Sequence, residues 1–324
     1  MTQTPWAPDV LAGFEQSTLG GLPSPDGPLD CVLVRRRALV QTRRAVLYVH
    51  GYVDYFYQTH LADFYNNAGL HFYALDLRRH GRALTPDQLP NYTRDVDEFL
   101  QDLDCAVRVL RASEEVTWLL LNGHSTGGLV AALYAHRGAQ YQVVNAVFLN
   151  SPFLDMNLPR WQQSLLEPLV ALCGRWFPRL RLPGLSPVYG QCLHAEHRGQ
   201  WHFNVVWKPI DGFPVFAGWF RAIHRAHAEV ARGLDIRCPV LVLHAQHSTW
   251  PKQWSQEAMC TDTVLNVADM ARLAPGLGTS VTVVAIPDGL HDVVLSAPEP
   301  QRRAFEAVQS WLDTLLGSER QALP

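Results

Sequence analysis

Six short segments of this chain are almost continuously apolar: 45–49 (AVLYV), 71–77 (HFYALDL), 116–121 (VTWLLL), 143–149 (VVNAVFL), 239–243 (PVLVL) and 280–286 (SVTVVAI). Strands covered on both faces read this way, because no position in them needs to meet water, and the pattern predicts a parallel sheet between two helical layers. Two earlier segments, 15–19 and 31–37, alternate apolar with polar residues and predict an antiparallel hairpin at one edge. Helical periodicity falls between the strands. Residues 93–110 place Val96, Phe99, Leu100, Leu103, Val107 and Leu110 on one face, with acidic residues in the first turns where they complement the helix dipole. Further helices are predicted at 56–67 and 301–316. Strands alternating with helices predict an α/β architecture with right-handed crossovers.

The rhythm breaks between 153 and 233. Five of the ten tryptophans fall there (Trp161, Trp176, Trp201, Trp207, Trp219), with many prolines and an apolar helical run, WQQSLLEPLVALCGRWF. Such a segment is too long for a loop and too aromatic for a linker. It predicts a helical cap over 153–233, inserted into a core of 1–152 and 234–324.

Composition adds mainly exclusions. A net charge of -3 provides no basic field for nucleic acid, and the runs Arg35–Arg37 and Arg78–Arg79 read as short solvated surface features. The six cysteines are scattered without a CxxC pair, which is neither a zinc pattern nor a disulfide framework. The first residues lack a basic and apolar leader, and no run approaches the roughly 20 apolar residues of a membrane span. A reduced, cytoplasmic protein without metal or organic cofactor is the expectation; whether the aromatic cap contacts a membrane, and the oligomeric state, are left open.

The chemistry concentrates in Gly123-His124-Ser125-Thr126-Gly127, directly between an apolar strand and a small-residue helix. A serine between two glycines in that context reads as a nucleophile held in a sharp turn. A serine hydroxyl needs a base. Of 14 histidines, His291 alone lies past the last strand and before the last helix, whereas His50 and His124 belong to other motifs, His244 to a strand and His224 and His227 to the cap. His50-Gly51-Tyr52, at the end of the first core strand, predicts oxyanion donors in the amides of Tyr52 and Thr126. The acid is the open element. Asp262 is the preferred candidate, followed by Asp269, with Asp235, Asp288 and Asp292 as alternatives. Within the cap, Trp161, Trp207 and Trp219 are candidate walls for an apolar acyl group.

With GHSTGG after one strand, HGY after an earlier one and LHD near the end, the chain resembles the α/β-hydrolase superfamily, and within it the monoacylglycerol lipase and lysophospholipase-like branch of serine aminopeptidase S33-type hydrolases. HFYALDLRRHGR, SPFLD, DTVLNV and GLHDVVLS carry the same resemblance. It implies the α/β-hydrolase fold, Ser125 as nucleophile, His291 as base, Tyr52 and Thr126 as oxyanion donors, no cofactor, and a small-molecule ester substrate. Amide or peptide bonds are the alternative substrates, and a non-catalytic ligand-binding protein is the other. The usual family pattern sets the acid a few residues after the penultimate strand, where this chain has Ser248.

Overall fold

The computed structural model describes residues 2–157 and 160–322, without the side chains of 160–167 and 318–322. Eight main strands run β1 (Glu15–Leu22), β2 (Leu29–Arg36), β3 (Arg44–Val49), β4 (His71–Asp76), β5 (Trp118–His124), β6 (Val144–Asn150), β7 (Val240–Ala245) and β8 (Val281–Ile286). They lie in the order β1-β2-β4-β3-β5-β6-β7-β8, and two short strands at the N-terminus extend the β1 edge to make ten in all. The β1–β2 and β2–β4 pairs are antiparallel and the remaining main pairs are parallel. This is the mostly parallel α/β-hydrolase sheet that the apolar runs and motifs predict.

Five of the six continuous apolar runs have the expected cause, whereas β8 lies at the sheet edge and is only half-buried. Ala45, Leu47 and Val49 of β3 pack into one core with helices α2 (Asp97–Ala112) and α3 (Thr126–Arg137). Val46 and Tyr48 pack into a second core on the other face with α1 (Thr59–Asn67) and α8 (Pro298–Ala322). Helix α2 begins four residues later than its periodicity suggests. Thr93–Val96 instead form a turn in which Glu98 accepts hydrogen bonds from the Thr93 hydroxyl (2.9 Å) and the Arg94 amide (3.2 Å).

The arginine runs correct the sequence reading. Arg78 is fully buried, with its guanidinium on Asp102 (2.6 and 2.8 Å) and Glu98 (3.3 Å). Arg79 is buried too, bonded to Asp26 (2.8 Å), and Arg35 bridges Glu15 and Glu114. Only Arg37 of these behaves as an exposed cation, although it also reaches Glu114. A planar guanidinium can be buried when carboxylates distant in sequence complete its hydrogen bonds, and composition carries no sign of those partners.

Between β6 and β7 the chain leaves the sheet. This segment forms α4 (Arg160–Trp176), α5 (Val188–Leu193) and α6 (Ala217–Val230), with a two-stranded ribbon pairing Arg181–Leu182 to Val215–Phe216. α4 packs along α6, and Leu169, Leu172 and Trp176 of α4 and Phe177 just after it are exposed. A further helix of the core, α7 (Val267–Leu273), follows an excursion after β7. Among the described residues no helix is long and apolar enough to cross a membrane.

Candidate active site

Ser125 sits between the end of β5 and the first turn of α3 with φ 53° and ψ -118°. A non-glycine residue at positive φ costs of order 1–3 kcal/mol and persists only where its surroundings enforce it. The flanking glycines show how. A Cβ on Gly127 would lie 2.2 Å from the His50 carbonyl oxygen, and one on Gly123 would lie 2.4 Å from the Gly127 carbonyl oxygen. Strand β3, the elbow and α3 are therefore in backbone contact, and any side chain would push the serine out of place. The Ser125 amide donates to the Asn150 carbonyl (3.0 Å), which ties the elbow to β6.

The Ser125 hydroxyl lies 3.0 Å from His291 Nε2, and His291 Nδ1 lies 2.8 Å from Asp262 Oδ2. The carboxylate can only accept, so Nδ1 carries the proton and Nε2 accepts from the serine. The second oxygen of Asp262 accepts the amides of Val264 (2.8 Å) and Leu265 (2.7 Å). All three residues are buried, Ser125 at 7% exposure, His291 at 2% and Asp262 at 0%.

The other carboxylate candidates are engaged elsewhere. Asp269 lies in the first turn of α7 and pairs with Arg272, and Asp235 is an exposed partner of Arg237. Asp288 occupies a turn at positive φ. Asp292 turns away from the imidazole beside it, and its Oδ1 accepts Asn150 Nδ2 (2.6 Å). Two of the other histidines also have occupations. His50 bonds the Leu77 amide (3.1 Å) and stays with the backbone. His227 is buried rather than on the surface, with Nε2 on the Phe153 carbonyl (2.9 Å) and its pKa pushed down to about 3 by burial.

The expected oxyanion donors stand where the elbow meets the β3 loop. Among the described residues neither the Tyr52 nor the Thr126 amide donates to another protein group. Gly51 makes the approach possible, since a Cβ there would lie 3.0 Å from Ser125 Cβ. The Tyr52 ring reaches up to the inserted segment, where its hydroxyl donates to the Pro214 carbonyl (3.0 Å) and its face meets Trp219 at 4.4 Å between centroids.

Ser125, His291, Tyr52 and Thr126 open onto one cavity of about 960 Å³, lined mostly by apolar side chains. Trp219 and Phe220 of α6 form part of its wall, with Leu182 and Leu185. Trp207 does not line it; its ring packs edge-on against Tyr55 at 5.1 Å, outside the cavity. The side chain of Trp161 lies outside the described residues. Two features escaped the sequence reading. Trp250, after β7, also lines the cavity, and Lys208 Nζ forms a buried 2.6 Å ion pair with Asp54 Oδ1 in the cavity wall. Lys208 and Lys252 are the chain's two lysines, and both border the cavity, a concentration that no local motif marks. No group of three or more His, Cys, Asp or Glu among the described residues is arranged to hold a metal ion.

Residues 40–295 match the model of the family described as serine aminopeptidase, S33. A monoacylglycerol lipase of Mycolicibacterium smegmatis is 32% identical over 276 residues, covering 83% of this chain and 88% of that protein. The chain belongs to the S33 family. Within the α/β-hydrolases it falls in the monoacylglycerol-lipase-like branch, and solved structures agree on the fold of this S33 member. A soluble variant of monoglyceride lipase from Saccharomyces cerevisiae superposes with a TM-score of 0.66 at 18% identity, over 89% of this chain and 93% of that one. The monoacylglycerol lipase of Paleococcus ferrophilus gives 0.65 at 21% identity, over 87% and 99%.

Proposed function

We propose that this chain is a serine carboxylesterase acting on small esters with an apolar acyl group, in the manner of a monoacylglycerol lipase. The observation that carries the proposal is the unbroken hydrogen-bonded path from Ser125 through His291 to Asp262, with its serine end in a largely apolar cavity. The name of the Mycolicibacterium smegmatis relative supports the substrate class.

The mechanism follows from the geometry. Ser125 Oγ attacks the ester carbonyl while His291 Nε2 takes its proton. Asp262 stabilises the imidazolium through Nδ1–H and keeps the ring turned toward the serine. Negative charge forming on the former carbonyl oxygen is met by the Tyr52 and Thr126 amides, each worth roughly 2.7–4 kcal/mol in comparable sites. His291 returns the proton to the departing alkoxide, the alcohol leaves, and a water deprotonated by the same imidazole frees Ser125 from the acyl group.

The residues of 153–233 act in this reading as a cap whose Trp219 and Phe220 contact the acyl chain. The cavity favours esters over peptides. Among the described residues the one carboxylate lining it is Asp54, whose charge is already paired to Lys208 through Oδ1, so the described lining offers a substrate amino terminus no carboxylate without a counter-ion. Of the cap carboxylates that could read an amino terminus, Glu196, Asp211 and Glu229 do not line it, and the side chain of Glu167 lies outside the described residues. The non-catalytic reading drew only on the missing carboxylate at 248, and Asp262 beside His291 removes that motive.

Initial rates on p-nitrophenyl esters from acetyl to palmitoyl, with Ser125→Ala alongside, test the proposal. Turnover that peaks at a medium chain and falls by about 10⁶-fold in the variant is expected. A folded Ser125→Ala protein with most of its activity would overturn it.

A further inference from the structure

The acid and the position where the family pattern expects it are neighbours in space. The backbone of Ser248 and that of Asp262 form an isolated parallel bridge. The Asp262 amide donates to the His247 carbonyl (2.9 Å), and the Thr249 amide donates to the Asp262 carbonyl (3.0 Å). Between these residues the chain makes an excursion that carries Trp250, Pro251 and Lys252 to the cavity, and Thr263, Val264 and Leu265 border the cavity on its return.

An acid at the end of such an excursion has a positional difficulty. An aspartate directly after β7 inherits its place from the sheet. Asp262 must be fixed by whatever closes the excursion, and closing a longer loop costs more chain entropy. The side chain of Ser248 supplies the closure. Its hydroxyl donates to the Leu265 carbonyl (2.8 Å) and accepts from the Val267 amide (2.9 Å). The Thr249 and Thr261 hydroxyls add a second rung at 2.7 Å. The turn held by Ser248 is the one whose Val264 and Leu265 amides bind Asp262 Oδ1, leaving Oδ2 to His291.

We infer that Ser248 is a positioning residue for the catalytic acid: its hydroxyl clasps the returning segment 262–267 and thereby aims Asp262 at His291. The inference rests on the proposed Ser125–His291–Asp262 triad. A hydroxyl is suited to this task because one oxygen both donates and accepts, satisfying a carbonyl and an amide two residues apart that would otherwise lack partners. Asp262 reaches the imidazole from further along the chain than the family pattern sets it, and the serine at the expected position secures it.

The test is a double-mutant cycle between Ser248→Ala and Asp262→Asn, with ester kinetics and melting temperature read on every variant. Ser248→Ala is expected to lower kcat between about 10- and 100-fold, the scale for slight misplacement of a catalytic group, with KM changed less than about twofold. Ser248→Thr, which keeps the hydroxyl, is expected to recover most of the loss. In the Asp262→Asn background the same Ser248→Ala change is expected to lower kcat by less than about twofold, since residues acting as one unit are not additive. Full repetition of the loss in that background, or wild-type kcat in Ser248→Ala itself, would overturn the inference while leaving the triad intact. Wild-type turnover in Asp262→Asn would instead overturn the triad reading, and the inference with it. Should Ser248→Ala fail to fold, Ser248→Cys takes its place in the cycle, with a weaker donor in similar volume and a smaller loss of the same form expected.

Discussion

His291 Nδ1 lies 2.8 Å from Asp262 Oδ2, although 29 positions separate the two residues along the chain. The contact joins two loops that follow adjacent parallel strands, β7 and β8. The imidazole therefore has its tautomer and its orientation set by a group reached only through the sheet. Asp262→Asn preserves shape but offers Nδ1 an amide instead of a carboxylate. We expect kcat on an ester to fall by about 10⁴-fold, the loss seen when a triad acid is neutralised. Asp269→Asn, which disturbs only the exposed pairing with Arg272, should leave kcat within about twofold. Steady-state kinetics of the two variants decide between them, and a larger effect at 269 would reject the assignment.

Trp219 and Trp207 separate the role of the cavity wall from that of general packing. Trp219 lines the cavity and rests on Tyr52, whereas Trp207 packs on Tyr55 outside it. Trp219→Ala enlarges the space beside Tyr52. Its kcat/KM for medium-chain esters should drop by about tenfold relative to long-chain esters, consistent with the burial of a large apolar side chain. Trp207→Ala should lower the melting temperature and leave the chain-length profile in place. The ratio of octanoyl to palmitoyl ester turnover in both variants is the measurement. A shift caused by Trp207→Ala alone would show that the wall lies elsewhere.

These contrasts mark the limit of what can be read from residues alone. The elbow was legible because strand, serine and helix are contiguous, and the glycines announce a backbone contact that needs no distant information. Five of the six apolar runs were legible because a strand buried on both faces has no polar alternation to hide; the sixth, β8, is a half-exposed edge strand. Burial of Arg78 was not, since it depends on Asp102 and Glu98 of α2, a helix away. Nor was the separation of Trp207 from Trp219, as both indoles belong to one aromatic segment and only packing assigns them to different walls. Ser248 looked like a missing acid, because its role appears only when Asp262 returns beside it.

Gly127 and Gly317 offer opposite outcomes for one substitution. At Gly127 a Cβ would meet the carbonyl oxygens of His50 and Val49 at 2.2 and 2.3 Å, and neither can move without disturbing β3. Gly127→Ala should destabilise the fold by at least about 3 kcal/mol, beyond the ordinary cost of overpacking. At Gly317, in α8, nothing among the described residues lies within 4 Å of an added Cβ. Gly317→Ala should be neutral or stabilise by up to about 1 kcal/mol through helix propensity. Thermal melts of the two proteins check both signs, and a stable Gly127→Ala would mean that the elbow and β3 are not in the contact described.

His80 and His227 make stability depend on pH in a defined window. Both are buried, and burial pushes each pKa down to about 3, with nearby His50 adding to the effect at His80. In the unfolded chain each titrates near 6.5. Between these values the unfolded state binds the proton and the folded state does not, so acid favours unfolding. Their contribution to stability is complete above about pH 6.5 and is lost progressively as the pH falls toward 3, at roughly 1.4 kcal/mol per pH unit for each histidine. Urea midpoints should therefore drop steeply from pH 6 to pH 4. A glutamine can donate to the carbonyls these rings contact, Arg78 for His80 and Phe153 for His227. The double variant His80→Gln, His227→Gln should be less stable at pH 7 and show a visibly shallower slope below pH 6. An unchanged slope would mean that the two imidazoles are protonated in the folded protein, which the buried carbonyl contacts and the absence of a paired carboxylate among their described partners argue against.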